Sequence, residues 1–191
     1  MPPTPTDTPS ATVQTIEVRV AQSVDDAEER SSGSMYITSS DLELIDDKGR
    51  IQTVGMRFQN VTVPASATII TAYVEFEADD TASGDTSLTF HGEADPNPAV
   101  FTGSAYNITD RSATAAGVDW NNVPPWNTVS EKHKTPDLAP IVQEIIGQPG
   151  WNSGNALVLL VSGSGVRTAE AFDGESQNAP LLHVEYTTGA P

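Results

Sequence analysis

The sequence contains no cysteine, which excludes several kinds of chemistry at once. Thiol catalysis, disulfide bonds and thiolate zinc sites all require that side chain. Long apolar runs are also missing, since none approaches the roughly 20 residues of a membrane-spanning helix. Residues 1–12 contain no positive segment followed by an apolar stretch. We therefore predict no membrane insertion and no signal peptide within this sequence.

Basic residues are scarce. There are 9 Lys and Arg residues against 26 Asp and Glu residues, which gives a net charge of −17. A field of this sign repels phosphate backbones and anionic membranes, so nucleic acid is excluded as a partner. It attracts divalent cations, and it also keeps a protein soluble. Composition alone leaves both interpretations of the charge open.

Aromatic residues make up 6% of the chain and hydrophobic residues 37%, whereas Gly and Pro number 14 each. This balance favours many turns and short strands over packed helices. A length of 191 residues fits one domain. We expect that domain over residues 13–187, between a Pro/Thr-rich linker or tail at 1–12 and a C-terminal linker at 188–191.

Alternating apolar and polar residues predict strands along most of the body. One alternation, in residues 68–76, places Ile70, Ala72, Val74 and Phe76 on the inward face. Residues 46–49 form a predicted hairpin turn. The pattern predicts an all-β, jelly-roll-like β-sandwich of two antiparallel sheets. The other predicted strands cover residues 16–20, 35–38, 42–45, 52–58, 86–91, 156–161 and 181–186.

One short helix is predicted over residues 137–146. Thr135 is a suitable N-cap, Pro136 fits the first helical position, and Gly147 fits a left-handed stop. The apolar residues follow helical spacing and form one face that must pack on the sheets. They are Leu138, Ile141, Val142, Ile145 and Ile146.

Four passages in this order resemble the DNRLRE-type β-sandwich of secreted bacterial and archaeal proteins, which is related to the disaggregatase-type repeat. They are residues 55–76, with the Val63-Pro64 turn, and residues 118–124, 137–160 and 172–186. The insert at 96–116 and the acidic N-terminal loop depart from the family pattern. The resemblance implies a jelly-roll accessory module without catalysis. Some relatives bind polysaccharide, and others are structural parts of cell-surface proteins.

Dense acidic residues suggest a structural calcium site, because Ca²⁺ takes roughly six to eight oxygen ligands in flexible geometry. We expect the first four of the candidate ligands in a loop, and the last one near the first strands of a jelly roll. A solvated acidic loop is the alternative explanation. The candidate ligands are Asp25, Asp26, Glu28, Glu29, Asp41 and Asp173.

Aromatic side chains are the candidates for stacking on sugar rings. We predict ligand contacts at Trp126, Tyr106 and Trp151. Trp126 follows two prolines and is the tryptophan expected to be exposed. Trp120 lies in the resembling passage at residues 118–124, which we call the corner, and is expected in the core.

No catalytic constellation is evident, and we predict no enzymatic activity. His91, His133 and His183 lack metal-ligand spacing, and the Ser-Gly-Ser-Gly run at 162–165 is not a nucleophile elbow. We expect His133 in an exposed charged loop and His183 on a strand face.

These observations predict a non-catalytic extracellular module of a secreted or surface multidomain bacterial protein, binding a polysaccharide or a cell-surface glycan and stabilised by calcium. The alternative is a structural subunit of an extracellular assembly or filament, self-associating through its tail or edge strands. A small hydrolase is a third hypothesis.

Overall fold

The computed structural model describes residues 12–189. A single 3₁₀ turn, Ser23–Asp25, and two α-helices, α1 (Ala139–Ile146) and α2 (Phe172–Glu175), lie among the strands. The strands are β1 (Val13–Arg19), β2 (Asp26–Arg30), β3 (Met35–Tyr36), β4 (Asp41–Glu43), β5 (Asp46–Asp47), β6 (Arg50–Phe58), β7 (Ala67–Glu77), β8 (Ser87–Glu93), β9 (Ala113–Trp120), β10 (Lys132–Lys134), β11 (Leu157–Ser164), β12 (Thr168–Glu170) and β13 (Leu181–Thr188).

The strands form two main antiparallel sheets. The four-stranded sheet has the order β1-β13-β7-β10. The seven-stranded sheet has the order β3-β2-β6-β11-β8-β9, with β5 attached to β6. A separate two-stranded sheet joins β12 to β4. The predicted all-β sandwich is therefore confirmed.

The core lies between the inner faces of the two main sheets. Val54 and Phe58 of β6 and Val74 and Phe76 of β7 are all fully buried and belong to one apolar cluster. Burying a side chain of this size contributes about 1.5–3 kcal/mol. The apolar face of α1 adds to the same cluster.

A β-bulge in β7 changes the predicted alternation. Glu185 of β13 pairs with Thr71 and Tyr186 pairs with Ile69, so Ile70 has no partner on β13. The extra residue reverses the side-chain order, which buries Ile69 and leaves Ile70 46% exposed. The predicted inward position of Ile70 was wrong, whereas Ala72, Val74 and Phe76 do point inward.

The helix forms where it was predicted but begins later, at Ala139. Its first turn is satisfied by Asp137, whose carboxylate accepts a hydrogen bond from the Ala139 backbone N–H at 3.0 Å. Thr135 instead accepts from the Val74 N–H, which ties this segment to β7. Gly147 has φ −79° and is right-handed, so the predicted left-handed stop was wrong.

Two segments predicted as loops are ordered structure. Residues 25–29 end the 3₁₀ turn and continue as β2, which pairs with β3 and β6. The segment with His133 forms β10 at the edge of the four-stranded sheet. The turn between β5 and β6 was predicted correctly, with φ 51° at Lys48 and 87° at Gly49.

The predicted tails lie almost wholly outside the described residues. Residues 1–11 and 190–191 are not among them, so most of the linkers predicted at 1–12 and 188–191 stays untested. Thr188 is the last residue of β13, one residue beyond the predicted domain end.

Candidate functional site

The outer face of the seven-stranded sheet carries a shallow groove with a volume of about 220 Å³. Its floor comes from β6, β8 and β11, where His91 pairs with Leu160 across the ladder and Ser162 pairs with Thr89. Side chains on this face alternate with those that enter the core. The lining residues are Thr53, His91, Ile108, Thr109, Arg111, Ala113, Leu160, Val161 and Ser162.

One wall of the groove is the segment that the sequence marked as an insert, residues 96–116. Phe101 and Ile108 of this segment pack with Ala27 and Val158 in a small apolar cluster of their own. Phe101 lies directly over Gly55 of β6, where an added Cβ atom would come within 2.4 Å of the ring. The insert can therefore approach the sheet only because residue 55 is glycine.

Buried Glu29 fastens the other end of the insert to β2. Its carboxylate accepts hydrogen bonds from the backbone N–H groups of Ile108 at 2.7 Å and Thr109 at 2.9 Å, and from the Thr109 hydroxyl. A carboxylate with several donors of this kind is well satisfied without a metal ion. Glu29 is therefore a positioning residue for the groove wall.

Arg111 organises the insert internally. Its guanidinium donates to the carbonyl oxygens of Ala99, Val100 and Asn107 and forms an ion pair with Glu93 at 2.6 Å. The group also lies over the Phe101 ring, 4.4 Å from its centroid. These contacts hold the insert as a rigid loop beside the groove.

His91 lies on the groove floor with a defined tautomer. Its Nδ1 atom is 3.2 Å from the Thr114 carbonyl oxygen and 3.1 Å from that of Ala116. Because both neighbours are acceptors, Nδ1 carries a proton, and in the neutral ring Nε2 is then an acceptor. The ring rests on Gly117, where an added Cβ atom would come within 2.5 Å of it.

A second depression, of about 290 Å³, is strongly acidic. We call it the acidic cleft, and it lies where β4, β5 and β12 meet the end of β7. Lys48 is the only basic residue of its lining. Arg30 and Arg50 each lie 3.4 Å from Asp47, so that carboxylate is paired. The acids of the lining are Asp41, Glu43, Asp46, Asp47, Asp79 and Asp80.

Buried carboxyl groups beside the acidic cleft share protons. Burial, followed by a side-chain hydrogen bond with Glu43, raises the pKa of Glu28 to about 9. Burial, together with the neighbouring charge of Asp79, raises the pKa of Glu170 to about 7. Burial also raises the pKa of Asp41. Glu28 therefore keeps its proton at neutral pH, and Glu170 is partly protonated there.

The structure divides the predicted calcium ligands among three places: Asp25, Asp26 and Asp173 are neighbours, Glu28 lies near Asp41, and Glu29 contacts the insert. Asp25 accepts from Arg57 at 2.7 Å and from Gln59, and Asp26 accepts from the Phe172 N–H at 2.8 Å. Asp173 lies near the first strands as predicted, since the Ser23 hydroxyl donates to its carboxylate at 2.5 Å.

Glu28 lies behind the cleft and Glu29 on the opposite face of the sheet, because successive residues of a strand alternate. Asp41 reaches the acidic cleft. The expectation that the first four acids lie in a loop was wrong, because all four are buried in the 3₁₀ turn and β2. No group of three or more metal-ligating side chains has the arrangement to hold an ion anywhere in residues 12–189.

Two of the three predicted aromatic contacts are core residues. Trp126 is fully buried, stacked on His133 with ring centroids 4.6 Å apart, so the expected exposure was wrong. The backbone bridge between Trp126 and Ala82 draws this side chain inward. Trp151 is also buried, and its indole N–H donates to the Val63 carbonyl at 2.9 Å.

Tyr106 is the one predicted aromatic contact that stays accessible, with 44% exposure. Its ring lies over Gly33, in contact that an added Cβ atom would not permit. Trp120 is buried, as expected from its place in the corner. His183 lies on a strand face as predicted, stacked on Tyr73 with a centroid separation of 4.5 Å.

Arg167 is a buried residue that sequence reasoning missed. It is 1% exposed, and its guanidinium donates to the carbonyl oxygens of Val123, Pro124 and Gly84 and to the Thr86 hydroxyl. No carboxylate pairs with it among the described residues. A lone arginine between two strands was the only available signal, and such residues are ordinarily exposed.

No helix of the described chain combines the length and the apolar character that crossing a membrane would take.

Comparison with known proteins does not assign this chain to a family. No family model matches it, and no curated protein sequence does. Among solved structures, a crystal structure of an IBDV viral particle is similar over 93% of this chain and 36% of the virus chain, with 10% identity and a TM-score of 0.28. A structure of the infectious bursal disease virus Gt strain is similar over 96% and 39% of the two chains, with 16% identity and a TM-score of 0.20. The present chain thus spans little more than a third of those virus chains, and likenesses this low carry no functional argument.

Proposed function

We propose that this protein is a non-catalytic module that binds a polysaccharide along the groove on the outer face of the seven-stranded sheet. The observation that carries the proposal is the groove itself, an open channel on a rigid sheet floor beside a fixed loop. Rigid walls reduce the conformational entropy that binding must overcome.

The groove offers both kinds of contact that sugars make. The Leu160 and Ala113 side chains present apolar surface to C–H groups, while Thr53, Ser162 and the Nε2 atom of His91 present hydrogen-bonding groups. The net charge of −17 disfavours anionic polymers. The ligand class that fits is therefore a neutral glycan, such as a glucan or a mannan.

The extracellular and bacterial setting of this module rests on the resemblance to DNRLRE-type domains. Membership in that family stays a prediction, as does attachment to a larger secreted or surface protein. Tyr106 is the remaining aromatic candidate for a sugar contact, because it is exposed on the same insert that walls the groove.

Retention on immobilised neutral glycans tests the proposal. Ser162→Arg should fill the groove and abolish retention, because Ser162 is exposed on its floor. Thr187→Arg is the matched control, since Thr187 lies in β13 of the other sheet. Equal retention of the two variants, with equal melting temperatures, would show that the groove does not bind the glycan.

Calcium stabilisation also stays a proposal. No described side chains are already arranged to hold the ion, but the negative charge of the acidic cleft would attract it. Five of its six acids have no arginine partner in the described chain. Millimolar Ca²⁺ should raise the melting temperature of the wild-type protein and have less effect on Asp79→Asn. If calorimetry shows no heat of binding and the melting temperature does not shift, calcium does not stabilise this protein.

The second candidate function is a structural subunit of an extracellular assembly. It is favoured by one observation: among residues 12–189, the edge strand β1 of the four-stranded sheet pairs with β13 alone. A polymer that forms with rising concentration supports this function, whereas a monomer retained by a glycan supports the first.

A further inference from the structure

The strand β1 is an edge strand of the four-stranded sheet that the described part of the chain leaves open. Among residues 12–189 only β13 pairs with it, and no other described element packs on it over more than a few residues. Ile16 and Val18 point toward the core but remain half-buried, whereas their partners Val184 and Leu182 on β13 are fully buried. The apolar layer of the sandwich therefore ends at β1 without complete cover.

The other sheet edges are short or occupied. The edge strands β3 and β10 contain two and three residues. The edge of β9 is guarded by Glu144 of α1, whose carboxylate accepts the N–H groups of Ala115 at 2.8 Å and Ala116 at 2.7 Å. Covering an edge in this way prevents further strand pairing. The seven residues of β1 are the long edge that the described part of the chain leaves open.

We propose that the β1 strands of two copies of this chain pair antiparallel, with Ile16 of one copy facing Ile16 of the other. Two four-stranded sheets then become one continuous sheet. A two-fold axis perpendicular to the sheet keeps the inward faces on the same side. The half-buried Ile16 and Val18 side chains of both copies therefore meet beside the two cores.

The sequence of β1 selects this register. Centring on Ile16 pairs all seven residues, setting Thr15 against Glu17 and Val13 against Arg19. Centring on Glu17 would place two like charges directly opposite, which destabilises a ladder. Centring on Val18 would set most of the strand against residues outside it. The Ile16-centred register alone combines full pairing with no opposed charges.

The dimer is weak and strengthened by salt. A one-strand interface buries little area compared with stable complexes. Each copy also carries a net charge of −17, and the resulting repulsion is screened as ionic strength rises. The inference deepens the second candidate function, because it uses the same edge strand, but pairing across a two-fold axis closes as a dimer instead of forming a polymer. It does not depend on glycan binding, because the groove lies on the other sheet.

Cysteine cross-linking tests the register in a chain that has no cysteine of its own. Residues opposite each other in an antiparallel ladder have Cα atoms about 4.5–5.5 Å apart, within reach of a disulfide. In the proposed dimer Ile16→Cys should cross-link on oxidation at millimolar protein and high salt. Gln14→Cys and Val18→Cys should not, because an offset of four residues separates each cysteine from its copy by about 13 Å.

Charge variants at Thr15 test the dimer without oxidation. Thr15 is exposed and faces Glu17 of the other copy, so Thr15→Lys creates two favourable pairs and Thr15→Glu two repulsive ones. Sedimentation should show Kd lowered roughly 2- to 30-fold by lysine and raised by glutamate. Thr15 already faces Glu185 within its own chain, so a substitution there can also change the stability of the monomer. The melting temperatures of the variants measure that second effect.

Three results would overturn the proposal. The first is a monomer at every concentration and salt level in the wild-type protein. The second is cross-linking through Val18→Cys or Gln14→Cys in place of Ile16→Cys. The third is an equal dissociation constant for the Thr15→Lys and Thr15→Glu variants.

Discussion

A single buried guanidinium connects three separate parts of the chain at the end of the sandwich. Arg167 holds the corner at Val123 and Pro124, the turn at Gly84 and the start of β12. Its planar fork supplies these donors from one rigid group. Lysine would offer a point charge and leave several carbonyl oxygens unsatisfied.

We therefore expect Arg167→Lys to lower the free energy of unfolding by about 2–4 kcal/mol, since several charge-assisted hydrogen bonds are lost. Urea unfolding monitored by tryptophan fluorescence measures this loss. Arg50→Lys, at an exposed site, is the control and should change stability little. An equally small effect at both positions would contradict the role given to Arg167.

At the scale of single residues, the sequence predicted the element in which a residue lies better than the partners that surround its side chain. The position of Trp120 in the resembling passage at residues 118–124 and the strand position of His183 were sufficient to place these two residues. Trp126 was misplaced because its burial depends on a backbone bridge to Ala82, more than forty residues away in the chain. Asp25 and Glu29 were wrongly expected in a loop because the partners that order them are also distant, 32 residues away for Asp25 and 79 residues away for Glu29.

At the scale of elements, the position of the insert depends on the absence of a side chain at Gly55. Phe101 occupies the space where a Cβ atom of residue 55 would lie. Gly55→Ala should displace Phe101 and loosen the insert, with faster amide exchange over residues 96–112. Gly103→Ala is the matched control, because no atom lies within 4 Å of an added Cβ there.

Unchanged exchange of the insert in Gly55→Ala would mean that Phe101 can move aside without cost. A loosened insert should also weaken glycan retention, because the groove loses its wall. Among the described residues, the hydrogen bonds and the ion pair of Arg111 go to the insert and to Glu93, so the internal order of the loop should partly survive.

The positions of the helix and strands could be predicted from the periodicity of apolar residues and from turn residues. The irregularities of these elements could not. The helix and most strands lie where alternation and helical spacing predicted them, because these patterns report which face is buried. The bulge at Ile70 has no local signal, since an apolar residue fits either phase of the alternation. The strand β2 was missed because its acids are buried by distant donors instead of by apolar partners.

At the scale of the whole molecule, an excess of buried carboxyl groups sets the pH dependence of stability. Burial raises the pKa of Asp26 to about 7 and that of Glu28 to about 9. In the folded state these acids hold protons that the unfolded chain releases near pH 4. Their contribution to stability is complete below the unfolded pKa and is lost as the pH rises through the folded pKa.

We therefore expect the protein to unfold more easily at pH 9 than at pH 5, with the steeper loss between pH 5 and pH 7, where both acids contribute, and a smaller loss from Glu28 alone above pH 7. Glu28→Gln should flatten this slope, because a neutral amide can keep the hydrogen bonds to Gln52 and Glu43 without a proton. Thermal melts across this range measure the effect. If the stability of Glu28→Gln falls more steeply with pH than that of the wild-type protein, the sign of the Glu28 contribution is the opposite of the one given above.

His133 acts in the opposite direction. Burial lowers the pKa of this imidazole, which is stacked against Trp126. The folded state keeps it neutral, so its contribution is lost as the pH falls below 6.5. The two trends together place the greatest stability of the wild-type protein in mildly acidic solution.

The pairing of the first strand with the last has a mechanical consequence. Val13 of β1 lies opposite Thr187 of β13, so both ends of the described chain leave the sandwich at the same point. Tension applied between those ends would open the β1–β13 ladder one residue pair at a time, like a zipper, instead of shearing all its hydrogen bonds together. In a longer polypeptide under tension, a module with this geometry bears the load on one residue pair at a time. It therefore unfolds at low force.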